Sequence, residues 1–98
     1  MSEQHFDTIQ VRGGYNSSEH NYSVNVPIYQ SAAFDLGSVE RGLRLFSYEE
    51  TGNIYTRIGN PTTAVLEQRI AALDKATGAV ALASGMAAIS NTIFALLK

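Results

Sequence analysis

The second half of the chain carries a helix pattern, a short strand pattern and another helix pattern in direct succession, and this order constrains the fold most. Asn60 is a suitable N-cap and Pro61 suits the first helical position. Apolar residues then recur at spacings that indicate a helix: Val65, Leu66, Ile70 and Leu73. Residues 79–83 form an apolar run with the length of a buried strand, and Ser84-Gly85 makes the turn into the last helix. The order predicts the opening of an α/β layer structure.

The apolar character of the last predicted helix indicates what should surround it. Residues 87–97 are apolar on most sides. A helix that is hydrophobic nearly all round is normally buried inside a larger structure. We therefore expect this chain to be the N-terminal fragment of a longer protein.

The first 34 residues carry weaker patterns. Residues 2–12 form a short amphipathic stretch with Phe6, Ile9 and Val11 on one face, and Gly13-Gly14 is expected to end it. Residues 15–25 are polar and rich in turn formers, so they predict a loop. Residues 26–34 predict an extended segment, because they contain a proline and many β-branched and aromatic residues.

A second helix is predicted to begin at Ser38, which is a good N-cap residue. Its apolar positions recur at helical spacing and are expected to face the core: Val39, Gly42, Leu43 and Phe46. Its charged positions are expected to face water: Glu40, Arg41 and Arg44. Residues 49–53 then predict a turn.

Composition and charge exclude several classes of function. The 98 residues have a formal net charge of −2 and no Lys/Arg-rich run, so no nucleic-acid interface is predicted. Cysteine is absent, which excludes disulfides and thiolate chemistry. His5 and His20 lack a partner pattern, so no metal site is predicted. No apolar run reaches the ~18 residues that span a bilayer, and the polar N-terminus does not resemble a signal peptide, so the cytoplasm is the expected location.

The turn at Ser84-Gly85-Met86 is a candidate anion site. A helix that starts directly after a strand leaves its first backbone N–H groups unpaired, and the helix dipole adds partial positive charge there. Gly85 allows an anion to approach closely because it has no Cβ, and the Ser84 hydroxyl can donate to a ligand. The alternative is that Ser84 only caps the helix after a tight turn, and the pattern alone favours this interpretation.

Tyr55 and Arg57 form a second candidate anion site. In an extended segment alternate side chains project from the same face, so the phenol and the guanidinium would point the same way. An arginine fork and a tyrosine hydroxyl together suit a phosphate dianion. The alternative is an ion pair between Arg57 and Glu49 or Glu50, with Tyr55 packed on a helix. The residues alone leave the two interpretations equally open.

Several ordered blocks resemble one family of enzymes over nearly the whole chain. The blocks are residues 10–15, 26–31, 55–62, 66–73 and 83–86. They resemble the pyridoxal-phosphate (PLP) enzymes of cysteine and methionine metabolism, which include the trans-sulfuration enzymes. The resemblance implies that residues 1–59 are an N-terminal arm that reaches a neighbouring subunit. It also implies that residues 60–98 begin a PLP-binding large domain of the aspartate-aminotransferase type (fold type I), which is incomplete in this chain.

The resemblance implies a cofactor, PLP, and residues that bind it. In the family, the Tyr and Arg of the Tyr-x-Arg block bind the PLP phosphate in the neighbouring subunit's active site, and Tyr55 and Arg57 hold those positions. The family's Ser-Gly-Met turn binds the phosphate of its own subunit's PLP through backbone N–H groups, here at Ser84, Gly85 and Met86. Tyr55 is also a candidate catalytic residue for proton transfer near the leaving side of the substrate. The Asn60-Pro61-Thr62 segment is expected to be structural.

The family's remaining cofactor groups come later in its sequence order. They are the lysine that binds PLP covalently, an Asp at the pyridinium nitrogen and an aromatic ring stacked on the cofactor. Lys75 ends a helix and Lys98 is terminal, so neither is assigned the role of that lysine. The 98-residue chain by itself is therefore expected to be inactive.

Within the family, residues 7–11 and 46–57 most resemble the O-acetylhomoserine sulfhydrylases. These transferases make homocysteine or methionine from O-acetylhomoserine and a sulfide or thiol by γ-replacement. Methionine γ-lyases share residues 81–86 and rank second, and cystathionine γ-synthase ranks third. The resemblance implies a small amino-acid substrate and a homo-oligomer, at least a dimer and in the family a tetramer.

Two alternatives outside this family stay open at the level of the sequence. The first is a small module that binds phosphate or nucleotides, although neither Gly-x-x-x-x-Gly-Lys nor Gly-x-Gly-x-x-Gly is present. The second is a non-catalytic assembly segment that docks on another subunit. The second alternative is compatible with the enzyme interpretation, because an arm can serve both assembly and catalysis.

Overall fold

A computed structural model describes residues 4–97, which form four α-helices and one 3-10 helix. The α-helices are α1 (Phe6–Arg12), α2 (Val39–Phe46), α3 (Pro61–Leu73) and α4 (Gly85–Leu96), and the 3-10 helix is Ser17–His20. Within residues 4–97, β pairing is limited to one antiparallel bridge between Ala33 and Tyr55. The helices predicted after residues 38, 60 and 84 are confirmed. Residues 2 and 3, included in the first predicted helix, lie outside the described residues.

The chain divides into two compact units, and the division falls inside α3. One unit contains the described residues of Met1–Gly14 and Leu66–Lys98, and the other is Tyr15–Val65. Each unit therefore holds part of α3. The predicted boundary between an arm at residues 1–59 and a large domain from residue 60 stays a prediction.

The loop predicted at residues 15–25 contains a small aromatic cluster. The rings of Tyr15 and His20 stack with centroids 5.3 Å apart, and His20 Nδ1 lies 2.7 Å from the Tyr29 hydroxyl. The Tyr15 hydroxyl donates to the Ser23 carbonyl at 2.6 Å. These contacts hold the loop against the segment around Tyr29. The polar composition of the loop gave no signal for them.

The buried face of α2 differs from the predicted one. Leu45 is 4% exposed and Gly42 is buried, and Leu36 packs beside Gly42. The other apolar positions, predicted to face the core, are exposed: Val39, Leu43 and Phe46. The helix carries two apolar stripes, and helical spacing alone does not decide which of them is covered. Residues outside the helix lie against Gly42 and Leu45: Leu36, before the helix, packs beside Gly42, and Gly52, after it, lies close to Leu45.

Arg41, predicted to face water, instead joins Arg44 in binding Glu50. Arg41 Nε lies 2.8 Å from Glu50 Oε2, and Arg44 Nε lies 3.1 Å from Glu50 Oε1. The hydrogen bonds from Arg44 and then Arg41 hold the pKa of the Glu50 carboxyl below its usual value. Both carboxylate oxygens of Glu50 are therefore engaged within α2 and the turn that follows it.

We expect Glu50→Gln to lower the free energy of unfolding at neutral pH, by an amount that shrinks in acid. A carboxyl whose pKa is depressed in the folded state stabilises the fold above its unfolded-state pKa, and this stabilisation is lost as the pH falls through the folded-state pKa. Urea titrations of wild type and variant between about pH 7 and about pH 3 measure the difference. Glu49→Gln is the control, since Glu49 makes no ion pair within residues 4–97. A pH-independent loss for Glu50→Gln would contradict this linkage.

The Gly13-Gly14 pair ends α1, as predicted, and brings the chain close to α3. The Gly13 N–H donates to the Ile9 carbonyl, and the Gly13 carbonyl accepts from Arg69 Nε at 2.8 Å. Gly14 has φ +74, and a Cβ there would lie 2.8 Å from the backbone nitrogen of Arg69. Of the predicted apolar face of α1, Ile9 is half-buried, whereas Phe6 and Val11 are exposed.

The apolar run at residues 79–83 does not form the predicted buried strand. Val80 is 78% exposed, and the Ala81 N–H donates to Glu67 Oε2 at 2.8 Å. A buried strand needs neighbouring strands on its edges, and residues 4–97 provide none for it. α4 is helical as predicted, and it has no buried residue in the described chain. No helix within that range is both long and apolar enough to cross a membrane.

Candidate functional site

Tyr55 lies where a short pairing of two segments ends and a turn begins. Residues 32–34 and 54–56 pair through two backbone hydrogen bonds of 2.9 and 2.7 Å, with Tyr55 opposite Ala33. The Tyr55 carbonyl then accepts from the N–H groups of Ile58 and Gly59. The predicted extended geometry therefore stops at Tyr55, and Arg57 lies in the turn.

The turn nevertheless brings the side chains of Tyr55 and Arg57 together. Arg57 Cζ lies 5.0 Å from the centroid of the Tyr55 ring, within the range of a cation–π contact. Both side chains are exposed, Tyr55 by 37%. Within residues 4–97 neither the guanidinium nor the phenol hydroxyl has a hydrogen-bond partner, and Arg57 forms no ion pair with Glu49 or Glu50. Both polar groups are thus available to a ligand.

Asn60 and Thr62 join the start of α3 to the preceding extended segment. Asn60 is 6% exposed, and its Oδ1 caps the helix by accepting from the Thr62 N–H at 2.9 Å. Its Nδ2 donates to the Tyr29 carbonyl at 2.9 Å and to Thr56 Oγ1 at 3.2 Å. The Thr62 hydroxyl accepts from the Tyr29 N–H and donates to the Pro27 carbonyl. The structural role expected for this segment agrees with these contacts, and the link to Thr56 is an addition that the sequence did not indicate.

The backbone at Ser84-Gly85-Met86 begins α4 with two unused donors. Ser84 is the N-cap, and its Oγ accepts from the Ala87 N–H at 3.0 Å. The N–H groups of Gly85 and Met86 donate to no acceptor within residues 4–97. Capping uses Ser84 Oγ as an acceptor, so its O–H can still donate. Capping and anion binding are therefore compatible at this turn.

Gly85 is not required by the packing of the described chain. No atom lies within 4 Å of the position that a Cβ would take, and φ at Gly85 is outside the left-handed region. Within residues 4–97 the space beside Gly85, in the first turn of α4, is therefore open. A helix N-terminus with free N–H groups attracts anions, which fits a phosphate group.

Ser84→Ala is expected to lower the free energy of unfolding of the intact, ligand-free protein by about 1 kcal/mol, because the cap on α4 is lost. Ser84→Gly is the matched variant and should cost only a few tenths of a kcal/mol, since glycine leaves the first turn accessible to water. Urea titration measures both. Equal losses in the two variants would show that the Ser84 hydroxyl contributes through something other than the cap.

The two candidate anion sites belong to different units. Tyr55 and Arg57 lie in the unit Tyr15–Val65, and the turn at Ser84 lies in the other. Lys75 follows the end of α3 with φ +55, which agrees with its predicted place at a helix terminus. Lys98 lies outside the described residues.

Comparison with known proteins gives a family match. The family described as "Cys/Met metabolism PLP-dependent enzyme" matches residues 7–98. An L-methionine gamma-lyase of Fusobacterium nucleatum subsp. polymorphum is 56% identical over 73 residues, which are 74% of this chain and 18% of that protein. O-acetyl-L-homoserine sulfhydrylase 1 of Thermus thermophilus is 46% identical over 57 residues, which are 58% of this chain and 14% of the relative.

The fold also matches a solved structure. A Campylobacter jejuni protein assigned as an O-acetylhomoserine (thiol)-lyase superposes with a TM-score of 0.87 and 35% identity, over 94% of this chain and 23% of that one. Its crystal structure contains N'-pyridoxyl-lysine-5'-monophosphate. The chain described here thus spans between 14% and 18% of the length of the curated relatives. The predicted fold class, part of a fold type I large domain, is confirmed by the structural match.

Proposed function

Because this chain belongs to the family of PLP-dependent enzymes of cysteine and methionine metabolism, we propose that it is the N-terminal part of an O-acetylhomoserine sulfhydrylase. In the proposed reaction, the sulfur of sulfide or a thiol bonds to the γ-carbon of O-acetylhomoserine, and acetate leaves from the same carbon. The products are acetate and homocysteine, or methionine where methanethiol is the acceptor. The reaction is a transfer at the γ-carbon.

The observation that carries the cofactor part of the proposal, which both candidate activities share, is the free guanidinium of Arg57 over the ring of Tyr55, whose hydroxyl is also free. Two backbone hydrogen bonds and a turn hold this segment, while neither polar group has a partner within residues 4–97. An exposed arginine can remain solvated, but a guanidinium and a phenol on a braced turn also suit a phosphate dianion. We call Tyr55 and Arg57 the phosphate clamp.

The residues of this chain fit PLP, the cofactor of the family. The phosphate clamp would bind the PLP phosphate in a neighbouring subunit's site. The N–H groups of Gly85 and Met86, with the Ser84 hydroxyl, would bind the phosphate in the chain's own subunit. When bound, PLP acts as the electron sink that permits proton removal at Cα and departure of the γ-substituent. The Tyr55 hydroxyl would hold a proton on the leaving side of the substrate.

A clamp that serves a neighbouring subunit requires at least a dimer. We propose a homo-oligomer, a tetramer by resemblance to the family, in the cytoplasm. The lysine that binds PLP covalently would come from a part of the intact protein beyond these 98 residues. The boundary between an arm at residues 1–59 and the large domain belongs to the same proposal.

Methionine γ-lyase is the second candidate, because the Fusobacterium nucleatum relative shares 56% identity over 73 residues. A lyase would eliminate the sulfur substituent at the γ-carbon of methionine instead of replacing the γ-acetoxy group of O-acetylhomoserine by sulfur. The segments of this chain that bind phosphate do not distinguish the two reactions, since both need the same cofactor anchored in the same way.

The test is a pair of assays on the intact protein loaded with PLP. A sulfhydrylase should form homocysteine and acetate from O-acetylhomoserine and sulfide, and should release little thiol from methionine. A lyase should show the opposite preference. An intact protein that gains no visible absorption band on addition of PLP, and performs neither reaction, would refute both candidates.

A further inference from the structure

We propose that Thr56 is a positioning residue for the phosphate clamp, held in place by Asn60. The inference rests on the proposed function, since it concerns how the clamp is oriented. Thr56 lies between Tyr55 and Arg57 in the sequence. Its contacts are made to residues outside the clamp, so it can fix the clamp without touching the phosphate.

Thr56 makes three polar contacts with two other segments of its unit. Its N–H donates to the Ala32 carbonyl at 2.7 Å, and its hydroxyl donates to the Ser31 carbonyl. Its Oγ1 also accepts from Asn60 Nδ2 at 3.2 Å. A threonine hydroxyl has one donor and two acceptor positions, so the donor is fully used and an acceptor is occupied.

Two of these contacts are made by a side chain that does not belong to the core. Thr56 is exposed, so burial of its methyl group contributes little to the fold. Asn60, in contrast, is 6% exposed and is fixed by the helix cap and by the Tyr29 carbonyl. The hydrogen bond from Asn60 therefore ties an exposed turn to a rigid, buried point at the start of α3.

The link matters for binding because the clamp residues are the two neighbours of Thr56. A fixed Thr56 restricts the backbone on both sides, and so restricts where the Tyr55 phenol and the Arg57 guanidinium can lie. Groups that are ordered before binding lose less conformational freedom when the ligand arrives. Removal of the Thr56 hydroxyl should therefore reduce phosphate affinity while both phosphate-binding groups remain present.

The test measures the dissociation constant of PLP for the intact apoprotein. Thr56→Val removes the hydroxyl, and with it the hydrogen bonds to Ser31 and from Asn60, at nearly constant shape. We expect its PLP affinity to fall by about 2- to 12-fold, the range of the net effect of a hydrogen bond. Thr56→Ser keeps the hydroxyl and should bind within about two-fold of wild type. Thr56→Ala is a second variant without the hydroxyl, and it also lacks the β-branch that valine shares with threonine. Thr63→Val is the control, since Thr63 is an exposed threonine of α3 outside the clamp.

Urea unfolding of each apoprotein separates positioning from a purely structural role. A Thr56→Val variant that loses stability but binds PLP as wild type does would overturn the inference. A Thr56→Ser variant with a PLP affinity as low as that of Thr56→Val would also overturn it. Arg57→Ala is measured in parallel. If Thr56→Val and Thr56→Ala bind PLP normally while Arg57→Ala binds it weakly, the positioning role of Thr56 is refuted and the phosphate clamp is not. Normal affinity in Arg57→Ala refutes the phosphate clamp, and the inference with it.

Discussion

Replacement of Arg57 by alanine in the intact protein is expected to weaken PLP binding by about 10- to 100-fold. A hydrogen bond to a charged group contributes about 1.5–3 kcal/mol, and Arg57 would make such bonds with the cofactor phosphate. The Arg57 guanidinium has no hydrogen-bond partner within residues 4–97, so its removal leaves no buried acceptor unpaired in the fold. Titration of the apoprotein with PLP, followed by its visible absorption, measures the loss.

Two further variants make this result specific. Arg57→Lys keeps the charge and removes the planar fork, so its PLP affinity should fall between that of Arg57→Ala and wild type. Arg12→Ala removes an exposed arginine of α1 and should leave the affinity unchanged. The urea midpoint of the Arg57→Ala apoprotein should match wild type, since the side chain is exposed. Unchanged PLP affinity in Arg57→Ala would mean that the arginine is only a solvated surface residue.

Gly14→Ala is expected to lower the free energy of unfolding by about 2–5 kcal/mol. The backbone at Gly14 has φ +74, which costs a residue with a Cβ about 1–2 kcal/mol. The new Cβ would also lie 2.8 Å from the backbone nitrogen of Arg69 and from Gln68 Cβ, so the end of α1 must move away from α3. Overpacking of this kind adds about 1–3 kcal/mol. Urea titration of the intact protein measures the loss.

Two other glycines separate the backbone strain from the overlap. Gly37 has φ +84, and a Cβ added there would lie 3.5 Å from Arg41 Cδ, which is an ordinary van der Waals distance. Gly37→Ala should therefore cost about 1–2 kcal/mol from backbone strain alone. Gly78 has no positive φ and no atom within 4 Å of its Cβ position, so Gly78→Ala should be nearly neutral. If Gly14→Ala cost no more than Gly37→Ala, the close approach to α3 would be looser than the distances indicate.

Local signals predicted the elements that depend on local chemistry. Ser38, Asn60 and Ser84 each start a helix, because a side-chain oxygen can satisfy a backbone N–H within three residues. Of the predicted apolar face of α2 only Gly42 is buried, and Leu45 is buried as well, because the contacts to both come from residues outside the helix. The strand predicted at residues 79–83 does not form, because strand pairing depends on segments distant in sequence.

The candidate site shows the same limit at the level of side chains. The proximity of Tyr55 and Arg57 was anticipated, but alternation along a strand was the wrong reason, because the turn after Tyr55 depends on its carbonyl accepting from two later N–H groups. The role of Thr56 had no sequence signal. Its partners lie four residues ahead and twenty-four or twenty-five residues behind, and nothing in a threonine specifies such distant acceptors.

The size of the side chain that each of positions 14 and 85 can accept is set by different neighbours. At Gly14 the limit comes from the neighbouring helix inside the chain, whereas at Gly85 no described atom of the chain sets any limit. In a library of variants at the two positions, different selections would therefore restrict each position. Among the contacts within residues 4–97, those at position 14 would reject larger side chains in a selection for folding, whereas those at position 85 would reject none. Position 85 is thus expected to be restricted by groups from outside these residues, the cofactor phosphate among them.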